Sequence, residues 1–207
     1  MLLIMLAIAM LFLLSGCGKE NNDVKEEQSS NEQTKEFSMG EWNDNVYTND
    51  FLGLKFNLPE GWVYSSDEEI AEMMNLGTEL LNDDQKVAAE VSKLNNAYYI
   101  VANDPNTGNS VSIISEKPIM EISTDYYINQ LKTQLSSVDS IKYEIGETSK
   151  EKVGDIQCDT LTVSASMLNQ TITQKYYVYK LDKYFVGIIV TATSGEENIN
   201  NIIKSFE

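Results

Sequence analysis

The second half of this chain is built from long segments of alternating polar and apolar residues, and that alternation constrains the fold more than anything else in the sequence. Residues 142–148, 156–165, 171–181 and 184–193 read as strands separated by short connections. In the second of them Ile156, Cys158, Thr160 and Thr162 recur at every other position. Leu181-Asp182-Lys183 is the turn between the last two. An antiparallel meander is therefore expected, and it limits what the first half can be.

The first half supplies a strand pair, a hairpin and helices in separate blocks. Residues 45–48 and 52–58 form the pair, with Leu52, Leu54, Phe56 and Leu58 alternating against Gly53, Lys55 and Asn57. Pro59-Glu60-Gly61 breaks the second strand, and Trp62 follows as a large apolar plug. Ser66-Asp67-Glu68-Glu69 is a capping box, in which Ser66 and Glu69 satisfy each other's backbone N–H groups. It opens a helix bearing Ile70, Met73 and Met74. Asn82-Asp83-Asp84-Gln85 repeats that logic for a second helix with Val87, Val91 and Leu94 inward. Residues 98–103 and 110–115 then make a hairpin around Asp104-Pro105-Asn106-Thr107-Gly108-Asn109. Ser123 caps a helix whose stripe is Ile128, Leu131, Leu135 and Val138. Ser194 with Glu197 caps a last helix carrying Ile199, Ile202, Ile203 and Phe206. Helix blocks beside a meander argue for an α+β fold, a curved antiparallel β-sheet flanked by helices, rather than a doubly wound parallel sheet.

Composition removes whole classes of function. The 207 residues include 32 acidic and 15 basic side chains, a formal charge of −17, with no histidine. Every basic residue is lysine. Without histidine, the commonest metal ligand and the usual general base near neutral pH are missing. Without arginine, no bidentate clamp for phosphate or carboxylate forms. So acidic a chain repels nucleic acid and anionic lipid alike.

At the N-terminus an uncharged apolar run from Met1 ends in Leu14-Ser15-Gly16-Cys17. The run is too short for a bilayer span, which needs about 20 residues, but has the length of a cleaved signal. Leu14 to Cys17 resembles the lipobox of bacterial lipoproteins. That resemblance implies a signal peptide over 1–16 and a diacylglyceryl group on Cys17, two chains that anchor the protein stably. It places the mature protein on the extracytoplasmic face of the cell membrane, with the membrane as partner through its anchor. Residues 18–40, rich in Glu, Asn, Gln, Ser and Lys, read as a disordered tether. The domain is expected over 41–207.

Gly53-Leu54-Lys55-Phe56-Asn57-Leu58-Pro59-Glu60-Gly61-Trp62 and the later Asp104-Pro105-Asn106-Thr107-Gly108-Asn109 hairpin resemble segments of lipoproteins from low-GC Gram-positive bacteria. Together with the order of elements, they are similar to the Mog1/PsbP-like proteins. The resemblance implies a layered sandwich over residues 45–206. It implies no one activity, because that fold serves photosystem assembly, nuclear transport and other roles.

The candidate sites are weak in themselves. Asp104 and Asn106 alternate oxygen ligands like the start of a calcium loop, but the bidentate Glu that such a loop needs at its twelfth position is Ser115 here. The same residues suit a turn. Cys158 has no histidine to activate it and reads as core. The acid pairs Glu68/Glu69, Asp83/Asp84 and Glu196/Glu197 fall in helix first turns, where carboxylates complement the helix dipole. Tyr177 and Tyr179 share a strand face, and are either a binding patch for sugar rings or a protein partner, or ordinary strand formers. No cofactor is implied. The leading expectation is a non-catalytic binding or accessory lipoprotein of the cell envelope, taking an envelope protein or cell-wall glycan. The alternatives are a carboxylate-dependent cell-wall glycosidase and a structural partner in an envelope assembly.

Overall fold

The computed structural model describes residues 36–79, 96–138, 141–167, 170–193 and 195–207. The signal segment, Cys17, most of the tether, the second helix with Val87, Val91, Leu94 and Asp83/Asp84, and Ser194 lie outside the described residues.

Ten strands and three helices are described. β1 (Glu41–Asn43), β2 (Val46–Asn49) and β3 (Leu54–Asn57) form a small antiparallel sheet. A seven-stranded sheet has the order β4-β5-β6-β10-β9-β8-β7. Its members are β4 (Val63–Tyr64), β5 (Asn96–Asn103), β6 (Ser110–Glu116), β7 (Tyr143–Val153), β8 (Ile156–Met167), β9 (Gln170–Leu181) and β10 (Tyr184–Ala192). Every neighbouring pair in it is antiparallel. The helices are α1 (Asp67–Glu79), α2 (Thr124–Ser136) and α3 (Glu196–Ile203). The α+β expectation is correct: an antiparallel sheet with helices packed on it.

The central strand explains the layering. β10 is buried from Phe185 to Ala192, so both of its alternating sets are largely apolar, as a strand covered on two faces requires. Phe185 and Ile189 join Leu131, Leu135, Tyr127 and Ile128 beneath α2, with Ile70 and Met73 of α1. Val186, Ile188 and Val190 join Tyr47, Leu54 and Phe56 of the small sheet and Ile199 and Ile202 of α3. The large sheet thus has one helix-covered face and one face covered by the small sheet and α3.

Local signals hold where side chain meets backbone directly. Ser66 N–H donates to Glu69 Oε2 at 2.8 Å and Glu69 N–H to Ser66 Oγ at 3.3 Å, the reciprocal capping box. Tyr126 N–H donates to Ser123 Oγ at 3.2 Å, capping α2.

Four expectations need correction. β7 runs to Val153 rather than residue 148. It is an edge strand, largely exposed, so its charged residues need not alternate with apolar ones. The cap of α3 is Gly195 at φ 89°, which has no side chain to accept a bond. Phe206 lies beyond that helix and bridges to Phe56, while Glu207 and Lys55 exchange backbone bonds at 2.9 and 3.1 Å. The C-terminal residues therefore extend the small sheet beside β3. Finally, packing begins before Glu41. Tyr47 Oη donates to the Met39 carbonyl at 2.6 Å, and buried Asn49 donates to the Ser38 carbonyl at 3.1 Å. Phe37 sits 5.3 Å from the Phe51 ring and 6.2 Å from the Tyr184 ring.

Candidate functional site

Tyr177 and Tyr179 are not a binding patch. They are 0% and 7% exposed, in the core between the large sheet and its cover of small sheet and α3. Tyr179 Oη donates to the Leu52 carbonyl at 3.0 Å, tying the two sheets together. Strand alternation placed both tyrosines on one face correctly, but whether that face is covered depends on β1–β3 and α3, which are remote in sequence.

Around Tyr177 the strands assemble a polar group that alternation alone did not reveal. Lys175 is buried among β-strand neighbours, and its Nζ donates to Glu151 Oε1 of β7 at 2.7 Å. The same ammonium lies 5.6 Å from the Tyr177 ring centroid, within cation–π range. Tyr177 Oη has no hydrogen-bond partner. Burial pushes its pKa above the ordinary value, and Glu151, Cys158 and Glu196 push it further in the same direction. Cys158 is buried at the side of this group, and burial first, then the Asp159 charge, push its thiol up to about 12. A thiol in that state is not a nucleophile at neutral pH. The group is an ion pair between β9 and β7 whose lysine is buried and whose glutamate is partly exposed.

On the opposite face two buried tyrosines are paired with side chains, while the Tyr143 hydroxyl and Gln134 Oε1 have no partner among the described residues. Glu116 is buried and accepts from Tyr127 Oη at 3.2 Å. Gln174 accepts from Tyr176 Oη and donates to Thr191 Oγ1, each at 3.2 Å. Burial keeps Tyr98, Tyr127 and Tyr176 neutral by raising their pKa values.

Asp104 and Asn106 form a turn. Asp104 Oδ1 accepts from Asn106 N–H at 2.8 Å and Oδ2 from the Thr107 hydroxyl at 2.7 Å. The Thr107 hydroxyl, then the Asn106 N–H, hold the carboxyl below its ordinary pKa. Both carboxylate oxygens are thus engaged by the loop itself, and among the described residues no three Asp, Glu, Cys or His converge on a metal position. Glu68/Glu69 and Glu196/Glu197 occupy helix first turns as expected.

An open groove of about 730 Å³ is lined by Phe51, Leu54, Glu36, Asp50, Lys55 and Glu207 among others. Lys55 Nζ bonds Glu207 Oε2 at 2.6 Å, and this contact, with Asn57, lowers the Glu207 pKa. Large apolar side chains are exposed at three further places: Phe37 and Met39 on the N-terminal approach, Ile119, Met120 and Tyr126 before and in α2, and Val63 and Tyr64 on β4. The sequence signal for the second place was two bulky apolar residues in a loop between a strand and a capped helix. For the first it was a lone aromatic in a polar tract.

The chain matches no family model and no curated protein. Three solved structures are similar in outline. Cyanobacterial PsbP (CyanoP) from Synechocystis has 12% identity and a TM-score of 0.47, over 78% of this chain and 90% of that one. A Bacteroides thetaiotaomicron protein has 12% identity and a TM-score of 0.41, over 74% and 44%. LpqN of Mycobacterium tuberculosis, described as involved in cell envelope biogenesis, has 13% identity and a TM-score of 0.39, over 72% and 79%. Likeness at this level brings neither ligand nor activity to this chain.

Proposed function

We propose that this protein is a lipid-anchored lipoprotein on the extracytoplasmic face of a bacterial membrane, where it acts as a non-catalytic binding or accessory component of the envelope. The observation that carries the non-catalytic part is the state of its reactive groups. Cys158 is buried with a raised pKa, and the tyrosines of both cores are held neutral. The described acid pairs sit in helix first turns. The anchor rests on Leu14-Ser15-Gly16-Cys17. No described helix is long and apolar enough to cross a membrane.

A glycosidase would need one carboxyl of a cleft pair held protonated near neutral pH. In the groove, Glu207 is shifted the other way by Lys55 and Asn57.

Two measurements test the reading. Cys17→Ala should move the protein from the membrane fraction to the soluble fraction, and retention through a high-salt wash would refute the anchor. Mild crosslinking of intact cells should recover a defined envelope partner or glycan. Turnover of purified cell wall by the isolated protein, abolished by Glu36→Gln or Asp50→Asn, would replace the accessory role with the enzymatic one.

A further inference from the structure

We propose that one end of the seven-stranded sheet, carrying Phe37, Ile119 and Met120, lies against the bilayer that holds the anchor; this rests on the lipoprotein reading above. The register defines that end. Glu116 of β6 pairs with Phe185 of β10, and Phe185 with Lys180 of β9. Ile119 and Met120 follow β6 directly and are 72% and 63% exposed. Glu121, just beyond them, reaches Lys180 Nζ at 3.3 Å, which holds the loop at this end.

The chain from Cys17 arrives at the same end. Phe37 packs on Tyr184, the residue that opens β10, and on Phe51, while remaining 47% exposed. Cys17 and Phe37 are twenty positions apart, a span of at most about 70 Å. Attachment at this end favours orientations that turn it toward the membrane. The two most exposed large apolar side chains described, Ile119 and Met120, then face lipid rather than water. Burying apolar side chains in the boundary of the bilayer is favourable. With a chain charge of −17, anionic headgroups add nothing, so the contact is apolar and holds on a zwitterionic surface. The opposite end is built differently. Its Asp104–Asn109 loop is polar and closed by its own hydrogen bonds.

The test uses the full acylated chain in phosphatidylcholine vesicles. Ile119→Cys, labelled with an environment-sensitive fluorophore, should shift to the blue and be quenched by lipids carrying a nitroxide near the headgroup. Asn106→Cys, labelled likewise, should not respond. Equal response at both sites, or none at residue 119, overturns the proposal. A second measurement needs no substitution near the contact. Oxidation of Met120 by peroxide, read by mass spectrometry, should be several-fold slower on vesicles than in the soluble Cys17→Ala protein. Equal rates overturn the proposal. The intact mass separates the two layers of the argument. An unmodified Cys17 in membrane-extracted protein refutes the anchor and this orientation together, whereas an acylated Cys17 with unresponsive residue 119 refutes the orientation alone.

Discussion

Tyr176 and Tyr177 are sequence neighbours that point to opposite faces of the large sheet and are buried in different ways. Beneath α2, Tyr127 donates to Glu116 and Tyr176 donates to Gln174. Beneath the small sheet and α3, Tyr177 is fully buried with no partner for its hydroxyl. Its ring instead lies beside the Lys175–Glu151 ion pair. Tyr127 and Tyr176 use their hydroxyls as paired polar contacts. Tyr177 serves mainly as a ring, with an unpaired oxygen that costs stability, while Tyr179 on the same face donates to the Leu52 carbonyl and the Tyr143 hydroxyl on the helix face has no partner among the described residues. The difference is local: Glu116 and Gln174 lie within reach of the Tyr127 and Tyr176 hydroxyls, whereas no described group reaches that of Tyr177.

Raising the pH should break both faces together, and it is the largest effect expected. Burial raises the pKa values of Tyr47, Tyr98, Tyr99, Tyr127, Tyr176, Tyr177 and Tyr179, with Tyr47 reaching about 12. A raised folded pKa protects below the unfolded value near 10 and loses that protection as pH rises through the folded value. Each tyrosine removes about 1.4 kcal/mol per pH unit between about 10 and its own folded value, so together they exceed a typical stability of about 5–15 kcal/mol within about two units. Circular dichroism should show cooperative unfolding by about pH 12. Native near-ultraviolet signal beyond that would show that the hydroxyls are not sealed from solvent.

Aliphatic truncation comes next and should be similar on the two faces. Leu131→Ala in α2 and Ile199→Ala in α3 each remove a side chain that is 0% exposed, and each should cost about 2–5 kcal/mol in urea unfolding. Ile203 is only partly buried, so Ile203→Ala should cost clearly less than Ile199→Ala. Equal losses would mean that α3 packs with a different rotation.

The tyrosine hydroxyls sharpen the contrast at smaller scale. Tyr127→Phe removes the donor to Glu116 and should cost about 1–3 kcal/mol. Tyr177→Phe removes an oxygen that has no partner, so stability should be unchanged or rise by up to about 1 kcal/mol. Equal destabilisation by the two variants would erase the distinction between the two tyrosines.

Much of the fold was legible because its signals are local. The period-two runs of β8, β9 and β10 register which residues share a face. The Ser66 and Ser123 caps act within three residues of themselves. The Asp104 loop closes on itself. The short edge β1 carried too few residues for a period, and β7 carries charge where a buried strand would carry apolar side chains.

The candidate site was less legible, for a reason that applies beyond Tyr177. Sequence by itself determined that Tyr177 and Tyr179 lie on the same side of a strand, that Cys158 lacks a histidine, and that Asp104 suits a turn. It also determined the −17 charge and the Leu14-Ser15-Gly16-Cys17 segment. Only the tertiary structure decided that the tyrosines are covered, that Lys175 finds Glu151 two strands away, and that Phe37 and Ile119 lie at the same end of the sheet. Backbone geometry sets the direction of a side chain within a few residues. Burial, charge pairing and common orientation depend on segments up to more than a hundred positions away, and only packing brings those together.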